Sequence, residues 1–179
     1  RRCRRSRYRR RRRRVSFSVQ SAGLPVLLKI VIGLLAGFGL IVAAAYFGQR
    51  RLQYFPDPRR TAPDAAGLHD VREVVIKAPD GAEIVNWWGK ARDGQPTLLY
   101  FHGNGGSLAE RAPRIARSMD EGWGVFMMAY RGYSGSTGSP TEADNVADAL
   151  RAFDYLIANG VPASHIVLYG ESLGTGVAA

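Results

Sequence analysis

The pentapeptide Gly170-Glu171-Ser172-Leu173-Gly174 sets a serine between two glycines, directly after the apolar run Ile166 to Tyr169. A G-x-S-x-G on a turn from strand to helix pushes the Ser hydroxyl out at the end of a sheet, and the sharpness of that turn favours residues without bulk on either side. Ser172 is therefore the candidate nucleophile, which would attack a carbonyl carbon and form an acyl-enzyme once a base has taken its proton. In a chain with 21 glycines the pattern alone carries little weight. Its surroundings add more: a β-type run precedes it, and Gly174, Gly176, Ala178 and Ala179 supply the small residues of a closely packed following helix.

A second stretch able to do chemistry is His102-Gly103-Asn104-Gly105-Gly106, into which the continuous apolar run Thr97 to Phe101 empties. A run of this kind suits a strand buried on both faces. A glycine-rich loop at its carboxyl end can turn backbone N–H groups toward a ligand, and here it would offer the Asn104 N–H to a developing oxyanion. The alternatives are an ordinary glycine-rich turn or a phosphate loop. No Walker lysine follows these glycines and no complete G-x-G-x-x-G is present, which argues against a nucleotide.

A base for Ser172 is harder to find. His69 lies in a polar connector and reads as a surface residue, His102 belongs to the glycine-rich loop, and His165 is expected at the buried end of the strand that leads to Ser172. Glu171 adjoins Ser172, where neighbouring side chains diverge, and a carboxylate is a poor acceptor for a Ser proton. The chemistry calls for no cofactor and no metal.

The elements that must position these residues follow from periodicity. Glu73–Lys77 and Ile84–Trp88 read as two strands around the turn Pro79-Asp80-Gly81, with Trp87 and Trp88 on opposite faces, one inward and one toward solvent or the connector. Ser107-Leu108-Ala109-Glu110 has the form of a capping box, predicting a helix from Ser107 to about Met119. Val125–Ala129 is the next buried strand, and Tyr130–Gly138 is a loop at the same carboxyl edge of the sheet. Ser139 as N-cap, Pro140 at the first helical position and Glu142 start a second helix, whose apolar face is predicted from Ala143, Val146, Ala147, Leu150, Phe153 and Ile157. Gly160 and Pro162 end it. Strands alternating with helices indicate a mainly parallel α/β sheet with an antiparallel first hairpin.

The formal charge of +10 is a property of one end. Residues 1–14 hold 11 of the 25 basic residues, leaving 14 bases against 15 acids elsewhere. Such a run suits either phosphate neutralisation or an anionic lipid surface. With Tyr8 as its only aromatic it lacks the stacking platform of a nucleic-acid arm, and nucleic acid is not the expected partner. Residues 1–23 are read as an Arg-rich tail, disordered or translated from upstream sequence, since the first Met is Met119. The next 25 residues, 24–48, include 19 without a charge from Ile30 to Gly48, long enough to span a bilayer. The heavier basic flank predicts a cytoplasmic amino terminus and an exported domain. A cleaved signal peptide with Ala43-Ala44-Ala45 as its site is the rival. Residues 49–70, with Pro56, Pro58 and Pro63, read as an extended link, and residues 71–179 as the folded domain. Cys3, the lone cysteine, permits no intrachain disulfide.

In order and content these motifs resemble the α/β-hydrolase superfamily, and within it the single-pass membrane-anchored serine hydrolases described as serine-aminopeptidase-like or depalmitoylase-like. The likeness runs from Ile30 to Ala179. It rests on the apolar segment followed by Arg-Leu-Gln-Tyr-Phe-Pro-Asp-Pro, then Tyr-Phe-His-Gly-Asn-Gly-Gly, then Ala-Tyr-Arg-Gly-Tyr-Ser-Gly-Ser-Thr-Gly-Ser-Pro-Thr-Glu, then Tyr-Gly-Glu-Ser-Leu-Gly-Thr-Gly. The resemblance implies Ser172 as nucleophile and the Leu173 and Asn104 N–H groups as oxyanion hole. It implies His102, Gly103, Gly105, Gly170 and Gly174 as parts of the two loops, and Tyr130–Gly138 as a structural loop beside the pocket. It also implies a small acyl or peptide-like substrate, membrane lipid as neighbour, and hydrolysis of an ester, thioester or amide. Ala129 departs from the group, which usually carries Asp there. The superfamily order, Ser then acid then His, puts both partners of Ser172 after it, so the chain reads as an amino-terminal fragment, inactive by itself. A membrane-tethered binding module without catalysis is the competing class.

Overall fold

The β-branched run Val71–Lys77, buried at Val71 and Val74, and a nearly continuous apolar run from Ile84 build the first hairpin, closed at Pro79-Asp80-Gly81, where the Ala78 N–H donates to the Ala82 carbonyl at 2.8 Å. The computed structural model describes residues 25–179. The expected Arg-rich tail, and Leu24 at the start of the apolar segment, lie outside the described residues. The chain divides at Ala44 and Ala45 into two units, described here one at a time.

In the first unit the described residues are helical from Val26, in helix α1, which runs on through the boundary to Gln53. Val26–Gln49 has a mean hydropathy of 2.6 and none of its most apolar window is buried. At about 1.5 Å per residue, those 24 residues exceed the roughly 30 Å of a hydrocarbon core. Leu34, Leu35, Phe38 and Ile41 are all exposed, as expected of a helix made for an apolar solvent. A membrane anchor and a signal sequence both present such a helix.

The second unit holds strands β1 (Phe55–Pro56), β2 (Val71–Lys77), β3 (Glu83–Gly89), β4 (Thr97–Phe101), β5 (Gly105–Gly106), β6 (Gly124–Met128) and β7 (Ile166–Gly170). Its helices are α2 (Ala112–Asp120), α3 (Glu142–Ala158) and α4 (Gly174–Ala178). The main sheet is mixed, in the order β2-β3-β6-β4-β7. β2 with β3 and β3 with β6 are antiparallel, whereas β6 with β4 and β4 with β7 are parallel. β4 and β6 are buried along their whole lengths, as their unbroken apolar runs require. β7 ends the sheet, with Val167, Leu168 and Tyr169 each between 44% and 49% exposed.

Four local expectations are corrected. Trp87 and Trp88 do fall on opposite faces, yet both are buried, because α3 covers the second face and Trp88 packs edge-on against Phe126 and Tyr155. Ser107 caps no helix: a 3-10 turn occupies Ala109–Arg111, and α2 begins at Ala112, next to Pro113, whose missing N–H is tolerated only in a first turn. The cap of α3 is Thr141 rather than Ser139, its hydroxyl accepting from the Asp144 N–H at 3.0 Å. The buried face of α3 is Asn145, Asp148, Ala149, Ala152 and Leu156. Val146, Leu150 and Ile157 are exposed, because the polar residues Asn145 and Asp148 are drawn inward by Tyr54 and Arg131.

Strand order and face together locate a crevice. α2, which follows β4, lies on the face bearing Tyr100, where Arg114 donates to the Tyr100 hydroxyl. α3 and α4 lie on the other face, and their residues Val146, Phe153 and Val177 share an apolar groove of about 90 Å³ with Leu99, Phe101 and Leu168. Connections therefore leave the adjacent strands β4 and β7 toward opposite faces, which opens a gap outside their carboxyl ends, where open α/β sheets bind ligands.

Candidate active site

Ser172 stands in that gap, solvent-exposed, on the turn between β7 and α4. Its φ is +51°, one of two positive values among the described non-glycine residues. A serine held there is strained by about 1–2 kcal/mol. Packing enforces the strain. A Cβ on Gly170 would lie 2.5 Å from the Gly174 carbonyl oxygen, and one on Gly174 would lie 2.1 Å from the Phe101 carbonyl oxygen. Both contacts are with backbone, so the turn folds back on α4 only with glycine at 170 and passes this close to β4 only with glycine at 174. The Glu171 N–H donates to the Phe101 carbonyl at 2.9 Å and the Gly174 N–H to the Glu171 carbonyl at 2.8 Å, closing the turn on itself and on β4.

The second loop leaves the neighbouring strand at the same level, because Phe101 and Gly170 are register partners. His102 and Gly103 are buried, and Asn104, Gly105 and Gly106 are half-buried. Among the described residues, neither the Asn104 N–H nor the Leu173 N–H donates to another protein group, which leaves both available to an incoming oxygen. The Asn104 carbonyl is held from two sides, by the Phe55 N–H at 2.9 Å and the Tyr133 hydroxyl at 2.7 Å. The Tyr133 oxygen accepts in turn from the Phe55 N–H at 3.1 Å, and burial pushes the phenol up to about 12, so it stays a donor.

Residues 49–70 are expected as an extended link without a part in the site, yet 49–53 belong to α1 and the residues that follow, Phe55 and Pro56, pair with this loop. β1 pairs in parallel with β5, aligning Phe55 with Gly105 and Pro56 with Gly106. The Gln53 carbonyl accepts from the Asn104 side-chain amide at 3.1 Å. The Ser134 N–H donates to the Asp57 carbonyl at 2.8 Å.

Glu171 is tied down rather than free beside the nucleophile. Its Oε2 accepts from the Tyr100 hydroxyl at 2.5 Å and from Arg114 at 2.8 Å, and lies 3.6 Å from Nε of Arg111. Burial raises the Glu171 carboxyl, but the Tyr100 hydrogen bond and the two arginine charges outweigh it and hold the group below its usual range. Burial and the Glu171 carboxylate push the Tyr100 phenol up to about 12.

His69 and His102 sit where the sequence suggests, whereas His165, expected at a buried strand end, is exposed on the 3-10 turn Ala163–His165 ahead of β7, and none of the three reaches Ser172. His69 is exposed and pairs with Asp64 at 2.6 Å. His165 precedes β7, whose five residues separate it from the turn by about 17 Å. His102 is fully buried, with Nδ1 donating to the Gly103 carbonyl at 2.6 Å and Nε2 accepting from the Tyr130 N–H. Burial drives its pKa down to about 4, so at neutral pH it is an uncharged brace of the loop. Tyr130–Gly138 is built as a support. Arg131, buried, bonds Asp148 on α3 at 2.9 Å and Asp80 in the first hairpin at 2.5 Å. Ser134 and Ser136 accept the N–H groups of Leu108 and Val85.

Arg111, Arg114, Tyr100 and the Gln53–Asp57 segment escaped the reading of the sequence. Lone charges near strand ends and a Pro-rich connector carry no periodicity, and the bonds Tyr100–Glu171, Arg114–Glu171 and Gln53–Asn104 join residues 51 to 71 positions apart along the chain.

Residues 96–179 match a family model described as alpha/beta hydrolase fold. Protein bem46 of Schizosaccharomyces pombe is 44% identical over 48% of this chain and 29% of its own length. The alpha/beta hydrolase domain-containing protein WAV2 of Arabidopsis thaliana is 31% identical over 86% of this chain and 54% of its own. An esterase structure from Pyrococcus furiosus superposes with a TM-score of 0.54 and 25% identity, covering 70% of this chain and 50% of the esterase. The chain thus carries part of an α/β-hydrolase domain, is related to bem46 and WAV2, and spans about half the length or less of these relatives.

Proposed function

We propose that the chain supplies the nucleophile and oxyanion half of a membrane-anchored serine hydrolase. Ser172 attacks an ester, thioester or amide carbonyl, and the Leu173 and Asn104 N–H groups hold the resulting oxyanion. A general base and its orienting acid come from outside residues 1–179. The observation that carries this reading is the positive φ of Ser172 between two glycines pressed against backbone: strain of this kind persists only where surrounding structure enforces it, and it aims the hydroxyl into the crevice. The substrate is a small acyl or peptide-like compound. Helix α1 is retained as an anchor, the Arg-rich end faces the cytoplasm, and the hydrolase unit is exported.

The test is hydrolysis of a short-chain activated ester and an acyl thioester by the protein expressed from its full reading frame. Ser172→Ala should lower kcat/KM by at least about a thousandfold, and residues 1–179 alone should not exceed that variant. Equal activity with and without the Ser172 hydroxyl would remove it from the mechanism.

A further inference from the structure

The side chain of Arg111 is 10% exposed and spans the gap between the two loops. Its two terminal nitrogens donate to the carbonyls of Ser107 at 3.1 Å and Gly105 at 2.9 Å, both just past Asn104. Its Nε faces Glu171 Oε2 at 3.6 Å and is a buried donor without a hydrogen-bond partner. The guanidinium thus has two donors committed to one loop and a third aimed at the residue before Ser172. A planar fork does this where an ammonium cannot, since it presents donors in fixed directions to two carbonyls and a carboxylate at once.

Glu171 completes the link from the other side. Its backbone N–H is bonded to the Phe101 carbonyl, which fixes its main chain in the turn that carries Ser172 and Leu173, while Tyr100 and Arg114 hold its carboxylate toward Arg111. A Cβ on Gly103 would sit 3.4 Å from Glu171 Oε1, so the loops are already in contact beside the pair. The Asn104 and Leu173 donors belong to different loops on different strands, and their spacing is set by whatever joins those loops.

We propose that Arg111 is a positioning residue which, through Glu171, fixes the distance between the Asn104 and Leu173 N–H groups and so sets the oxyanion hole. Arg111 touches neither substrate nor nucleophile. The proposal rests on the reading of Ser172 as nucleophile, and its consequence is specific to the transition state. Misplacing one donor weakens binding of the oxyanion while leaving the ground-state carbonyl little affected, so kcat falls and KM does not.

The experiment compares Arg111→Met, Arg111→Lys, Glu171→Gln and the Arg111→Met/Glu171→Gln double variant, in the protein expressed from its full reading frame, with a short-chain activated ester as substrate. Arg111→Met and Glu171→Gln should each lower kcat by about ten- to a hundredfold at nearly constant KM. The double variant should be little worse than the worse single one, because both break one link. Arg111→Lys should restore less than a tenth of the lost kcat, as its point charge cannot hold both carbonyls and the carboxylate. Hydrogen exchange at residues 103–106 and 171–173 should quicken in either single variant. Unchanged kcat, multiplying effects in the double variant, or a loss confined to KM overturns the proposal. Should Arg111→Met fail to fold, Glu171→Gln, which removes charge and keeps shape, carries the same readouts. If the wild type shows no Ser172-dependent hydrolysis, the proposed function fails by itself; exchange then decides the clamp, faster on both loops sustaining it and unchanged exchange overturning it.

Discussion

Gly174 meets Phe101 so closely that a Cβ at position 174 would lie 2.1 Å from the Phe101 carbonyl oxygen. The obstacle is backbone of the central parallel strand, which cannot swing aside as a side chain would. Gly174→Ala should therefore cost about 1–3 kcal/mol by overpacking, read from the urea midpoint, and should also displace Ser172 and depress hydrolysis. A substitution without effect on either would mean that the turn is not wedged against β4.

Ser172 is the site of a trade between stability and activity. Glycine adopts its φ of +51° without strain. After allowance for the greater freedom of glycine in the unfolded chain, Ser172→Gly should stabilise the protein by about 0.5–1 kcal/mol while abolishing turnover. Ser172→Ala, which keeps the strained Cβ, should abolish turnover without that gain. Thermal denaturation of the two variants side by side makes the comparison.

Much of this arrangement was legible in the residues. The runs Thr97–Phe101 and Ile166–Tyr169, each ending in a glycine-bearing loop, read as two strands with Asn104 and Ser172 past their carboxyl ends, because continuous apolar runs and small-residue turns are local signals; that the two strands are neighbours is seen only in the fold. The inward face of α3 was not legible. Its apolar periodicity pointed to Val146 and Leu150, whereas Asp148 is buried by a partner, Arg131, 17 residues distant. The Arg111–Glu171 link was hidden for the same reason: ion pairs formed by the fold leave no period in the sequence. The docking of Phe55 on Gly105 is likewise backbone pairing, which residue types in a Pro-rich stretch tend to argue against.

The ion cluster under the Tyr130–Gly138 loop carries a stability prediction. The side chains of Arg131 and Asp148 are 7% and 2% exposed. Removing one partner leaves the other with part of its counter-charge, since Asp148 keeps Arg151 at 2.7 Å and Arg131 keeps Asp80, so Arg131→Met and Asp148→Asn should each destabilise by about 1–3 kcal/mol. Arg131→Lys should rescue only part, since one ammonium cannot bond both Asp148 and Asp80. Denaturant titration of the three variants measures this.

His102 predicts a pH dependence separable from that of the carboxylates. Its folded pKa, about 4, lies below the ordinary 6.5, so the unfolded chain binds the proton first as pH falls. The stability that neutral burial confers is complete above 6.5 and is lost between 6.5 and about 4, on the order of 3 kcal/mol in all. Glu171, also depressed, acts lower: its contribution is complete above its ordinary 4.5 and declines below that. Urea midpoints from pH 7 to pH 4.5 should fall in the wild type and flatten in His102→Asn, while Glu171→Gln should leave this window unaltered.

The most direct measurement is covalent labelling by a fluorophosphonate, applied to the protein expressed from its full reading frame and mapped by mass spectrometry. An activated serine displaces fluoride and keeps the phosphonyl group. The account predicts one adduct, on Ser172, absent from Ser172→Ala and slowed in Arg111→Met. A protein that hydrolyses esters but carries its adduct on another residue, or labels equally in Ser172→Ala, would contradict it.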